Sequence, residues 1–205
     1  MQHVKLYQQQ CSLVLASASP RRKQLLGELG LQFQCCPASI DETKIPTESP
    51  LEYVQRMAQE KGEAVARHFP ESCTISADTV VTLDGVVYGK PANQTEALEI
   101  LLELTNNTHK VMTAVHLQWP HRNLFTGFIA ETDVTFGHYS PLVLQKYIES
   151  GDPMDKAGAY GIQTLGGFLV KEISGSYTNV VGLPVARLVE TLEQCGCITP
   201  EDTSS

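Results

Sequence analysis

Residues 12–30, "SLVLASASPRRKQLLGELG", run from a short apolar stretch through a Ser-rich turn into a helical pattern. Leu13, Val14 and Leu15 have the length and composition of a strand. Ser19 stands as an N-cap, Pro20 as the first helical residue, and Leu25, Leu26 and Leu29 recur at helical spacing before Gly30 ends the helix. A strand feeding a helix through a tight turn is the unit from which α/β folds are built. The turn also raises a question of charge. Arg21 and Arg22 fall where unpaired backbone N–H groups already carry partial positive charge, so an anion is expected beside them. Singly, the two arginines read as solvated helix charge; with serine hydroxyls and a helix start around them they suit a phosphate. Neither GxxxxGK[ST] nor GxGxxG occurs in the chain, so the usual nucleotide fingerprints do not apply.

Outward from this unit, Leu31, Phe33 and Cys35 alternate as a strand, and Ser49, Pro50 and Glu52 form a capping box ahead of an amphipathic helix. Residues 73–91, "CTISADTVVTLDGVVYGKP", predict a β-hairpin about Asp84-Gly85. A third helix is predicted over 94–105 with Asn93 as cap and Glu96 three residues on. A strand over 109–119, a turn at 120–123, an antiparallel return over 124–136 and a helix from Ser140-Pro141 to about Ser150 follow. Residues 151–167 hold five glycines and little periodicity, the character of a functional loop. A strand "FLVKEI" and a helix from Pro184 to about Cys195 complete a single domain spanning 1–205. Its core is expected over about 13–195, with 1–11 and 198–205 as flexible ends. Strands interleaved with helices, plus two hairpins, give a mixed-sheet α/β protein.

The 205 residues carry 15 Lys+Arg against 23 Asp+Glu, a formal net charge of −8, which argues against nonspecific nucleic-acid binding. An anionic ligand must then be met by a local basic cluster. No stretch approaches the roughly 20 apolar residues of a membrane span, and the first dozen residues lack a long apolar run with a cleavage site, so a cytoplasmic protein without a membrane partner is expected. The six cysteines show no paired CxxC or Cys/His zinc spacing and read as reduced, mostly buried thiols.

Asp78 falls among Ile, Ala, Thr and Val in the first hairpin strand, where a carboxylate is costly to bury unless it binds a cation or hydrogen-bonds. Lys90 follows the same hairpin, Lys61 lies on the second helix, and Asp41-Glu42 precede that helix. Each lysine alone reads as surface charge. Together the residue types fit phosphoanhydride hydrolysis, in which cations neutralise phosphate oxygens, carboxylates hold a hard divalent ion and a base orients water.

With these residues assembled, the sequence resembles the Maf family of nucleoside triphosphate pyrophosphatases from Leu13 to about Leu192. The resemblance rests on "LASASPRR" at 15–22, "ADTVV" at 77–81 with "GKP" at 89–91, "HKVMTAV" at 109–115, "ETDVTF" at 131–136, "GDPMDKAGAYGIQ" at 151–163 and "VVGLP" at 180–184, in the family's order. It implies two lobes flanking a deep cleft, like the inosine triphosphatases, often assembled as a homodimer. It also implies cleavage of a nucleoside triphosphate between the α and β phosphates with a divalent metal, Mg²⁺ or Mn²⁺. By motif position Asp78 would be the proton acceptor, Ser19, Arg22, Lys61 and Lys90 would hold the triphosphate, and Glu42 would join Asp78 on the metal. Arg21, Thr79 and Gln163 occupy the family's base-selectivity positions in a combination that looks like the dTTP/UTP subgroup. A Gln carboxamide both donates and accepts, matching the O4 and N3–H edge of uracil and thymine.

Two other functions compete with this one: a binding-only regulator of cell division, and a house-cleaning enzyme acting on purines such as inosine triphosphate. The intact Asp78, Lys61 and Lys90 speak against the first. The chain departs from the family pattern in three places. Ser76 stands where a glycine often precedes "ADT", an exchange expected to tighten the strand; Gly62 follows Lys61 where alanine is commoner; and "TNNTHKV" replaces "SGxxHxV".

Overall fold

A computed structural model describes residues 6–201. Along the chain come Tyr7–Gln9 (β1), Leu13–Leu15 (β2), Pro20–Gly27 (α1), Phe33–Cys35 (β3), Pro50–Ala66 (α2), Cys73–Leu83 (β4), Val86–Tyr88 (β5), Gln94–Leu104 (α3), Thr108–Trp119 (β6) and Leu124–Phe136 (β7). Pro141–Glu149 (α4), Val170–Ser174 (β8), Tyr177–Val181 (α5), Val185–Gln194 (α6) and Ile198–Pro200 (β9) complete them, with 3₁₀ turns between α4 and β8. The fold is a mixed α/β sheet flanked by helices. Strand order is β3-β2-β4-β6-β7-β8, with β5 on the edge of β4. β2 is parallel to both β3 and β4, whereas β4, β6, β7 and β8 run antiparallel to one another.

The expected flexible ends need correction. β1 pairs antiparallel with β9, Gln9 opposite Ile198, and Cys197 and Ile198 are buried with Leu13 and Leu31. Three-residue strands are too short to display a period, so the apolar Cys197-Ile198 pair was the available signal. Residues 1–5 and 202–205, also expected to be flexible, lie outside the described residues. The short helix α5 was not anticipated either; Ser176 caps it, accepting a hydrogen bond from the Asn179 N–H. All six cysteines are free thiols as expected, although only Cys73 and Cys197 are buried and Cys35 is exposed.

Two features of the sheet open a cleft. β4 is 11 residues long, yet β2 pairs with it only at 73–75 and β5 only at 81–83. The edge over 76–80 therefore has no strand beside it, just beyond the carboxyl end of parallel β2, where α/β folds characteristically take their ligands. On the face opposite α2, two apolar cores lie along the sheet. One joins Leu26, Ile75, Val115 and Leu188; the other joins Val81, Leu101, Val111, Phe136 and Tyr147. Thr79 and Thr113, directly paired across β4 and β6, form a polar step between them.

Asn106 accounts for the departure at "TNNT". It adopts φ +58° just after α3, a left-handed conformation that glycine takes freely and asparagine tolerates better than most side chains. Among the described residues no helix is long and apolar enough to cross a membrane.

Candidate active site

The cleft has a volume of about 590 Å³ and is lined by Ser19, Arg21, Arg22, Glu42, Lys61, Asp78, Thr79, Lys90 and Gln163. All nine residues singled out in the sequence thus meet in one place, delivered by the β2–α1 turn, the loop before α2, α2 itself, the β4–β5 hairpin and the 151–167 loop.

Strand alternation sends Asp78 and Thr79 to opposite faces of β4. Asp78 faces α2, and Lys61 Nζ donates to its Oδ1 at 2.7 Å; both side chains are 12% exposed. Lys61 also meets Glu42 Oε1 at 3.1 Å. Asp78 Oδ2 has no hydrogen-bond partner among the described residues. The loop carrying Glu42 is held to α2 by the Tyr53 hydroxyl, which donates to the Glu42 carbonyl at 2.9 Å, and by Arg56, whose fork binds Glu48. That fork holds the Glu48 carboxyl down at about 2.

Thr79, on the other face, belongs to an ordered chain. Arg22 Nη2 donates to Thr79 Oγ1 at 3.0 Å, and Thr79 and Thr113 hydroxyls are 2.9 Å apart. Thr113 donates onward to the Asn179 carbonyl at 3.2 Å, so the Thr79 hydrogen is directed at Thr113. Arg22 also donates through Nε to Gly182 O and through Nη1 to Ala77 O, each at 2.8 Å. Its fork thus closes the unpaired β4 edge at Ala77 and joins α1, β4 and the α5–α6 turn. Burial disfavours its charged form, an effect countered by the nearby Asp78 carboxylate.

The expected anion beside α1 is met in part by the protein itself. Arg21 Nη1 donates to Asp155 Oδ2 at 3.0 Å across the cleft mouth. Ser19 caps α1, its Oγ accepting from the Arg22 N–H at 3.4 Å. In contrast, Lys90 and Gln163 are exposed, and neither side chain has a polar protein partner among the described residues. These two are available to a ligand without breaking any internal contact.

Asp152, Asp155 and Lys156 also belong to this region without having a role assigned from the sequence, as do Thr113 and Asn179. The first three sit in the "GDPMDKAG" segment, whose density of charge within a glycine-rich loop was a readable signal. Thr113 and Asn179 act only through tertiary contacts.

Among the described residues no group of three or more His, Cys, Asp or Glu could hold a metal by protein ligands alone. Glu42 and Asp78 nevertheless converge on a single ammonium, so two hard oxygen donors already surround one cationic position. That donor set fits a hard divalent ion that takes one or two carboxylates and completes its shell with water and phosphate.

The sequence model of the Maf family, described as "Maf-like protein", matches residues 12–195. The chain is 46% identical over 180 residues to a dTTP/UTP pyrophosphatase of Desulfotalea psychrophila, covering 88% of this chain and 92% of that protein. It is 47% identical over 197 residues to a dTTP/UTP pyrophosphatase of Shewanella denitrificans, covering 92% and 97%. Among solved structures, the Ham1 protein of Staphylococcus aureus shares the fold alone, with a TM-score of 0.50 and 12% identity over 90% of this chain and 99% of that one. With the family's sequence model matched over most of its length and relatives this similar, the chain belongs to the Maf family.

Proposed function

We propose that the protein is a nucleoside triphosphate pyrophosphatase that hydrolyses dTTP and UTP to the nucleoside monophosphate and pyrophosphate. The observation that carries this reading is the Lys61–Asp78 pair, half-enclosed at the unpaired edge of β4 in a cleft with further cations around it. The printed names of the relatives, each a dTTP/UTP pyrophosphatase, support the substrate class.

In the proposed reaction a water oxygen attacks the α-phosphorus, a new P–O bond forms, and the bond from the α-phosphorus to the α–β bridging oxygen breaks with its electron pair leaving on pyrophosphate. Asp78 receives the proton of the attacking water on Oδ2, while Lys61 fixes Oδ1 and so the direction of the carboxylate. Lys90, with no competing protein partner, meets the phosphate oxygens first; Ser19 and the first turn of α1 add hydroxyl and N–H donors, and Arg22 adds charge from behind. A divalent ion held by Asp78 and Glu42 would supply neutralisation of the phosphate oxygens. Gln163 presents both a donor and an acceptor to the base, and Arg21 lines the same cleft.

The test is pyrophosphate release from UTP, dTTP, CTP, GTP, ATP and inosine triphosphate with Mg²⁺ or Mn²⁺. UTP and dTTP are expected to lead. Preferential turnover of inosine triphosphate would replace the pyrimidine reading by a purine one, and tight nucleotide binding without turnover of any member would replace catalysis by a regulatory role.

A further inference from the structure

The 151–167 loop contains a polar knot centred on Asp152. Its Oδ2 accepts from the Tyr147 hydroxyl at 2.8 Å, from Thr164 Oγ1 at 2.8 Å and from the Gly166 N–H at 3.3 Å. Its Oδ1 lies 3.3 Å from Lys156 Nζ, which also donates to the Asp152 carbonyl at 2.5 Å and to Asp155 Oδ1 at 2.6 Å. Lys156 and Asp152 side chains are only 9% and 16% exposed. Burying such charges is tolerable when every donor and acceptor is met, and a satisfied network of this kind is rigid.

Lys156 borders the cleft yet differs from Lys90. Its three ammonium hydrogens have three acceptors inside the loop, so it serves the protein before any phosphate. The glycines make the knot feasible: a Cβ on Gly161 would lie 2.5 Å from Thr164 Oγ1 and 2.7 Å from Lys156 Cε, and one on Gly166 would collide with the Tyr147 hydroxyl. This is the physical content of the glycine-rich loop.

From the knot two branches reach the cleft. Thr164 and Gly166 closely follow Gln163 in the chain and tie its backbone to Asp152. On the other side, Lys156 holds one oxygen of Asp155 and thereby turns the second, Oδ2, to Arg21. Although burial alone would raise the Asp152 carboxyl, the Tyr147 and Thr164 hydroxyls and the Lys156 ammonium hold it below its ordinary range, so the knot carries a charged centre at neutral pH.

We propose that Asp152 is a positioning residue for base recognition, setting Gln163 through Thr164 and Gly166 and setting Arg21 through Lys156 and Asp155. The inference rests on the reading of Gln163 and Arg21 as base-facing residues given above.

The experiment measures UTP and GTP binding by calorimetry with metal chelated, and kcat and KM for both with Mg²⁺, in wild type, Asp152→Asn, Thr164→Val, Thr164→Ser and Asp155→Asn. Thr164→Val removes the shorter of the two links in the Gln163 branch and leaves the Arg21 branch whole, whereas Asp155→Asn touches only the Arg21 branch, so the proposal stays testable if Asp152→Asn does not fold. Thr164→Val and Asp155→Asn are each expected to reduce UTP-over-GTP discrimination by about ten-fold, through Kd and KM for UTP more than kcat, and Thr164→Ser to retain it. Equal losses for UTP and GTP with a lowered thermal midpoint would show a merely structural knot and overturn the proposal. So would unchanged discrimination in Thr164→Val and Asp155→Asn. Wild type that binds UTP preferentially but releases no pyrophosphate overturns the assigned activity while the binding comparison still judges Asp152; wild type without any UTP preference overturns both.

Discussion

Gly62 of α2 and Ser76 of β4 lie so close that a Cβ on the glycine would sit 2.7 Å from Ser76 Oγ. The serine hydroxyl donates to the Ala58 carbonyl at 2.6 Å, one turn earlier in the helix. Two departures from the family pattern are therefore one feature: loss of a methyl on α2 makes room for a hydroxyl on β4. Ser76 was expected to tighten its own strand, and instead it fastens the helix carrying Lys61 to the strand carrying Asp78. Gly62→Ala is predicted to destabilise by about 1–2 kcal/mol, the overpacking outweighing the helix propensity gained. In a Ser76→Gly background, where the added Cβ still meets His116 Nδ1 at 3.2 Å, the same change should cost less by about 1 kcal/mol or more. Urea unfolding of the four proteins gives the coupling energy, and a value near zero would refute the compensation.

Arg22 and Lys90 line the same cleft with different commitments. Arg22→Lys leaves the carbonyls of Ala77 and Gly182 without their guanidinium donors, for a predicted loss of about 2 kcal/mol. Lys90→Ala should change stability by less than about 0.5 kcal/mol while lowering pyrophosphate release. Thermal midpoints and rates measured on both variants separate anchor from substrate contact; equal thermal effects would refute the distinction.

His109 is buried against Phe136 and Tyr160, with Nε2 2.9 Å from the Tyr160 hydroxyl, and burial lowers its pKa to about 4. An unfolded His binds a proton near pH 6.5, so between about pH 6.5 and 4 the unfolded chain holds more protons than the folded one. Stability is therefore present above pH 6.5 and falls toward pH 4, by up to about 3 kcal/mol. His109→Gln should flatten most of that slope; His116, also lowered by burial, keeps the remainder. A slope unaltered by the substitution in urea titrations at several pH values would assign it elsewhere.

Glu42 is 58% exposed and shares Lys61 with Asp78. If the two carboxylates hold the divalent ion, chelation stops turnover, and Glu42→Gln raises the Mg²⁺ needed for half-maximal rate by about ten-fold or more. A Mg²⁺ titration of the variant with an unchanged midpoint would remove Glu42 from that role.

Much of this arrangement was legible in the chain. Caps at Ser19, Ser49 and Asn93 and the Asp84-Gly85 turn are local signals, and the structure follows them closely. The convergence of Asp78, Lys61 and Lys90 was not contained in any spacing; it arises because β2 and β5 leave the middle of β4 unpaired. The β1–β9 pairing joins the two ends of the described chain, and the Asp152 knot depends on side chains meeting across a loop without periodicity. Both are tertiary outcomes, which local patterns do not encode.

The most direct test of the account is pyrophosphate release from UTP by Asp78→Asn, set beside wild type at saturating Mg²⁺. The amide keeps the shape and a contact to Lys61 but cannot take up the proton of water. The expected result is a loss of about 10³-fold in kcat with the protein still folded. A rate within about ten-fold of wild type would contradict it.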